Sequence, residues 1–317
     1  MTENALIREC EAVRSAAGIY NAAAYGQFLV TGQDAPGFLH RMLSNEVQKL
    51  EILEGRYQGL LDRKGMTLSL FYLLRLGEQE FLALTPPQLT GKTLNLLTKM
   101  KFIERVVIQD ATAERGLLQV AGPKAESILK KWISFEALKP NRAQRLPEET
   151  LIWLEDFFEV PFINLCGSRA QIEKIAKELP PNLLFLNDNT MKLLRMRAGF
   201  PDYGVDLDES HILLEAALPY TYQRQKGCYP GQEVVERILA YGKGRTPKRL
   251  CRLTAAGEVS LEKGTEIAAS DGTKAGNVTS AMFDPLEGTT LVLGYLENKF
   301  VDGAKETVLR NGKLFLN

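Results

Sequence analysis

The most concentrated chemistry in the sequence lies in Lys226-Gly227-Cys228-Tyr229-Pro230-Gly231-Gln232-Glu233. Beyond Gly231 the apolar residues fall at 234, 235, 238 and 239, which is the stripe of an amphipathic helix running from Gln232 to Tyr241. Pro230 is tolerated in a first helical turn, and Glu233 suits the positive end of the helix dipole. Cys228 therefore precedes a helix N-terminus and stands two residues from Lys226, and both features favour thiolate over thiol. The expectation is a reactive cysteine. The competing reading is a small apolar filler, the common role of a lone cysteine.

Other groups carry weaker signals. Asp202, Asp206, Asp208 and Glu209 form an acidic run without calcium-loop spacing and read as a solvated loop. Lys243, Arg245, Lys248 and Arg249 form a basic cluster that suits a phosphate or RNA, or simply an exposed connector. Cys10, Cys166, Cys228 and Cys251 show no Cys-x-x-Cys spacing in a chain too large to depend on disulfides, so reduced thiols are expected. His40 reads as a helix residue and His211 as a loop residue. Neither belongs to a metal-binding motif, and no metal is expected.

These groups need a folded frame to position them. The 317 residues are 45% hydrophobic and 25% charged, enough for a large core divided among two or three domains. Lysine plus arginine (39) equal aspartate plus glutamate (39), so no global field draws the chain to nucleic acid or an anionic membrane. The start, Met1 to Cys10, is acidic and lacks the pattern of a secretory signal, which places the protein in the cytoplasm. The run Leu68 to Leu76 is about half as long as a membrane-spanning helix and reads as a buried strand, with no membrane partner expected.

Gln27 to Val30 reads as a strand, followed by a Gly32-Asp34-Pro36 turn and a helix carrying Phe38, Leu39, Met42 and Leu43. Strand-like runs follow at Tyr57 to Leu61, Thr67 to Leu76 and Glu80 to Leu84. The pattern starts again with strand Gly116 to Val120, turn Ala121-Gly122-Pro123 and a helix from Lys124 to Trp132. Apolar runs come next, Leu151 to Phe158 and Val160 to Cys166, and then a helix that ends at Pro180-Pro181. Val30-Thr31-Gly32-Gln33-Asp34-Ala35 is echoed by Val120-Ala121-Gly122-Pro123-Lys124-Ala125, which suggests an internal duplication. From Lys248 onward, short strands between glycine-rich turns indicate a small β-barrel. The expected class is α+β, divided at 1–105, 106–242 (bearing the cysteine motif) and 243–317.

The cysteine segment, followed by Arg237, resembles the Lys-Gly-Cys-Tyr-x-Gly-Gln-Glu signature of the YgfZ family, within the glycine-cleavage T-protein (aminomethyltransferase) superfamily. Val30 to Ala35, Leu43-Ser44-Asn45-Glu46-Val47, Leu61-Asp62-Arg63-Lys64-Gly65, Val120 to Pro123 and Arg197-Ala198-Gly199-Phe200-Pro201 extend the resemblance over most of the chain. It implies duplicated ferredoxin-like, folate-binding halves around a central hole, followed by a C-terminal β-barrel. The implied ligand is tetrahydrofolate or a derivative, met by an aromatic residue at Tyr25 and by Arg237. The basic cluster would then suit the glutamate tail of folate. The implied role is accessory: Cys228, with Lys226 and the motif residues Gly227, Tyr229, Gly231, Gln232 and Glu233, supports iron–sulfur cluster assembly or repair in client enzymes. Those clients include tRNA-modifying ones, so that tRNA is reached indirectly.

Two departures bear on enzymatic activity. The superfamily's transferases carry an aspartate after the Lys-Gly turn, where this chain has Gly65-Met66-Thr67-Leu68-Ser69-Leu70. They also carry a glutamate for the pterin at the position of Arg197, and a guanidinium cannot accept N–H donors. The resemblance therefore points away from aminomethyl transfer. A folate-dependent aminomethyl or one-carbon transferase is the alternative. A direct RNA-binding module would rest only on the basic cluster.

Overall fold

The computed structural model describes residues 3–301 except 157, 182 and 270, together with 307–309 and 312–316. The chain forms two compact units. One comprises Met1–Leu60, Ser69–Met191 and Tyr220–Tyr229, and the other Leu61–Leu68, Lys192–Pro219 and Pro230–Asn317.

The first unit is built on two sheets. One has the strand order Gly55–Leu61, Thr67–Gly77, Glu80–Thr85, Gly26–Thr31 and Val107–Asp110. The other runs Leu184–Phe185, Gly18–Asn21, Arg115–Ala121, Phe162–Ser168, Leu151–Glu155 and Gln144–Arg145, antiparallel except for its first pair. Because side chains alternate along a strand, each strand of the second sheet feeds two cores. Leu118, Val120, Ile152, Ile163 and Leu165 pack with Ile172 and Ile175 of the helix Arg169–Glu178. Leu117, Leu151, Trp153 and Cys166 face the other way, onto Tyr72, Leu74, Leu82 and Leu84 of the first sheet. This inter-sheet layer holds the candidate ligand-facing residues.

The strand–turn–helix echo is structural. Gly32 (φ +124°) and Gly122 (φ +135°) begin equivalent turns, and Asp34 and Lys124 enter their helices with nearly the same backbone (φ −96°, ψ 0° and φ −101°, ψ 4°). A Cβ on Gly32 would lie 2.1 Å from the Arg105 carbonyl oxygen, and one on Gly122 2.5 Å from that of Ala16, so both positions require glycine.

In the second unit the strand Lys248–Ala256 pairs with Thr289–Glu297 on one side and Gly312–Leu316 on the other. Thr289–Glu297 continues to Lys274–Asp284, then Glu266–Ala269, then Thr307–Leu309, which pairs with Gly312–Leu316. Leu253, Ile267, Val278 and Val292 form its core.

The acidic run is not the solvated loop that its composition indicates. Asp206 is fully buried, with Arg195 Nη1 at 2.7 Å from Oδ2 and the Thr279 and Ser280 hydroxyls each donating to Oδ1 at 2.6 Å. Asp208 accepts from the Ser210 amide and hydroxyl and lies 2.8 Å from His211 Nδ1. Despite burial, these partners hold its carboxyl at about 2.

Candidate functional site

Cys228 is exposed, whereas Cys10, Cys166 and Cys251 are buried, and all four are free thiols. Beside it Lys226 is nearly buried, and its Nζ donates to the carbonyl oxygen of His40. The exchange is reciprocal: His40 Nε2 lies 2.7 Å from the carbonyl oxygen of Lys226, which can only accept, so Nε2 carries the proton. His40 Nδ1 in turn lies 3.2 Å from Glu46 Oε1. The histidine that reads as an ordinary helix residue thus sits within Ala35–Met42 and fastens the cysteine loop through its side chain.

Burial lowers the Lys226 ammonium to about 8, partly opposed by the negative charges of Glu46 and Cys228. The ammonium also lies 4.9 Å from the ring centroid of Tyr229. Gly227 has φ +113°, so the chain turns between the anchored lysine and the exposed thiol in a conformation that favours glycine.

The motif crosses from the first unit into the second after Tyr229. Gly231 (φ +81°) precedes the helix Gln232–Ala240, and a Cβ there would meet the Asp62 carbonyl oxygen at 2.5 Å. Val235 is the buried residue of the apolar stripe. Glu233 lies in the first turn, and Arg237, exposed, in the last.

Tyr25 is half-buried immediately before the strand Gly26–Thr31 and packs on the inter-sheet layer. Around it the structure gathers residues that no local motif announces. Tyr57 meets Tyr72 edge-on at 5.3 Å and Tyr220 at 5.9 Å, while Tyr72 stacks on Trp153 at 5.9 Å and 7°. Glu155 is buried beneath them, and burial pushes its carboxyl up to about 7 against the hydrogen bonds it accepts. The single sequence signal for it is an acidic residue inside the apolar run Leu151 to Phe158.

Arg197 in the second unit makes a bidentate pair with buried Asp284, Nε to Oδ2 and Nη2 to Oδ1 both at 2.8 Å. That cation is committed to holding the C-terminal strands. Of the basic cluster, Lys248 pairs loosely with Glu215 (3.9 Å) and lies over Tyr295, while Lys243, Arg245 and Arg249 are exposed. Among the described residues no group of three or more His, Cys, Asp or Glu side chains could hold a metal ion, and no helix is long and apolar enough to cross a membrane.

The two-sheet unit and the strand-rich C-terminal region together define the fold of the glycine-cleavage aminomethyltransferases. The glycine cleavage system aminomethyltransferase T from Bartonella henselae superimposes with a TM-score of 0.88, over 98% of this chain and 88% of that one at 20% identity. Residues 2–145 match the family described as the GCVT N-terminal domain. An aminomethyltransferase of Thermus thermophilus is 30% identical over 308 residues, covering 92% of this chain and 83% of its own length. One from Caldanaerobacter subterraneus subsp. tengcongensis is 27% identical, covering 98% and 85%. The chain belongs to this aminomethyltransferase family, the glycine-cleavage T-protein superfamily.

Proposed function

We propose that this protein binds a reduced folate, tetrahydrofolate or a derivative, in its first unit. The observation that carries the reading is the span of the likeness, 30% identity over 92% of the chain to an aminomethyltransferase. The chemistry of the inter-sheet layer fits the ligand: tyrosine rings suit a flat heterocycle, and two buried polar atoms there, Tyr72 Oη and Gln119 Oε1, have no hydrogen-bond partner. Tyr25 would face the ring system, and Arg237 would meet the anionic tail. Bound folate would supply a one-carbon carrier.

The names of the relatives favour a folate-dependent aminomethyl or other one-carbon transfer over a purely accessory role, so transfer is the activity to test first. A second reading is favoured by one arrangement, the exposed Cys228 beside the anchored Lys226, together with Arg197 locked onto Asp284. In it the protein is of the YgfZ type. Folate and the Cys228 thiol then support iron–sulfur assembly or repair in cytoplasmic client enzymes, tRNA-modifying ones included. The ferredoxin-like halves divided at 105 and 242, and a barrel formed by the C-terminal strands, belong to the same proposal.

Calorimetric titration of tetrahydrofolate tests the shared core. Saturable binding to wild type and to Cys228→Ala is expected, and no binding to wild type overturns it. Turnover of an aminomethyl donor by the pure protein would establish transfer. Without turnover, failure of Cys228→Ala to restore a strain lacking the protein supports the accessory role, and full restoration removes it.

A further inference from the structure

Glu155 closes the strand Leu151–Glu155, is 5% exposed, and has no cation among its partners. Its Oε1 accepts from Trp153 Nε1 at 3.3 Å and Asn164 Nδ2 at 3.0 Å, and its Oε2 accepts from the Tyr57 hydroxyl at 3.2 Å. An oxygen that can accept twice is therefore half used at Oε2. Gln119 Nε2 donates to Asn164 Oδ1 at 2.8 Å, which leaves Gln119 Oε1 buried and unpartnered, as is the Tyr72 hydroxyl. The layer thus holds acceptor capacity without matching donors, which is costly in an interior unless a ligand completes it. Above it the rings become accessible: Tyr25 and Tyr57 are half-buried and Tyr220 is 37% exposed.

We infer that Glu155 is a ligand-recognising carboxylate that accepts the adjacent N–H donors of a planar, amino-substituted heterocycle, with the rings of Tyr57 and Tyr220 against its face. The inference rests on the folate reading in identifying that heterocycle as the pterin end of a reduced folate. Paired N–H donors on a flat edge match what the layer lacks, a carboxylate being the group that takes them two at a time. Nothing at Arg197 is then required for recognition, because the acidic partner comes from another strand.

The test is calorimetry with wild type, Glu155→Gln and Tyr57→Phe, using three probes: tetrahydrofolate, a pterin without the tail, and 4-aminobenzoylglutamate, the tail without the pterin. Glu155→Gln keeps size and acceptors for Trp153 and Asn164, and thermal unfolding at or above the wild-type temperature establishes that it folds. The expected result is a loss of about tenfold or more for tetrahydrofolate and pterin in Glu155→Gln, a smaller loss in Tyr57→Phe, and unchanged binding of the tail fragment. If wild type and Glu155→Gln bind tetrahydrofolate equally, the inference fails while the folate reading stands. If wild type takes the pterin but not tetrahydrofolate and Glu155→Gln loses the pterin, the folate reading fails and the inference stands. Binding of neither by wild type overturns both.

Discussion

In the second unit Asp206 and Asp284 are buried completely, and each is met by a guanidinium, Arg195 at 2.7 Å and Arg197 at 2.8 Å. In the first unit Glu155 is buried almost as deeply with three neutral donors and no cation. The aspartates are compensated locally, their charge matched and their oxygens filled, and they join segments far apart in sequence. Glu155 carries a raised proton affinity instead, the condition of a carboxyl buried for something other than cohesion.

The contrast is sharpest at Arg197. Arg197→Glu would restore the acidic residue that the superfamily's transferases carry there, and would set it against Asp284 in a buried site. Because the change removes a partner and adds a like charge, destabilisation at or above the about 3–5 kcal/mol typical of a broken buried pair is expected. Removing the acid instead, in Asp206→Ala, orphans Arg195 and should cost about 3–5 kcal/mol. Urea unfolding of both variants measures this, and a loss below about 1 kcal/mol in either would erase the distinction between the two units.

Glu155→Gln should behave in the opposite way. With the carboxyl raised from 4.5 to about 7, the folded state holds its proton where the unfolded chain has already released it. The stability linked to this group is thus complete below about pH 4.5, falls as pH rises, and is gone above about 7. At pH 8 Glu155→Gln should therefore exceed wild type by up to about 3 kcal/mol, and the two should converge near pH 4. A variant less stable than wild type at pH 8 would make Glu155 a cohesive residue like the aspartates.

Much of the frame is legible in the sequence because its signals are local. Strands such as Thr67–Gly77 and Glu80–Thr85 follow from apolar runs bounded by turn residues, and the helix Gln232–Ala240 from its stripe. The cysteine motif is readable for the same reason, as one contiguous segment. Helices Glu3–Ser15, Thr90–Met100 and Asp188–Arg197 escape such a reading, since their polar faces dilute the period. Asp206 reads wrongly as solvated because the groups that bury it, Thr279 and Ser280, arrive from a strand beyond the connector. Glu155, His40 and Tyr57 stay hidden likewise, since each acquires its role from partners that only the folded chain brings near.

The finest division of the contrast lies in the hydroxyls on Asp206. Thr279 and Ser280 share Oδ1 while Arg195 holds Oδ2, so the carboxylate keeps its charge partner when one hydroxyl is removed. Thr279→Val preserves shape and deletes a single donor to a charged acceptor, for an expected loss of about 1–2 kcal/mol in urea unfolding. Ser280→Ala should cost a similar amount, and the double variant more than the sum, because the first deletion leaves Oδ1 one donor and the second leaves it none. Strict additivity would mean that water replaces the hydroxyls, and that Asp206 is less sealed than its burial indicates.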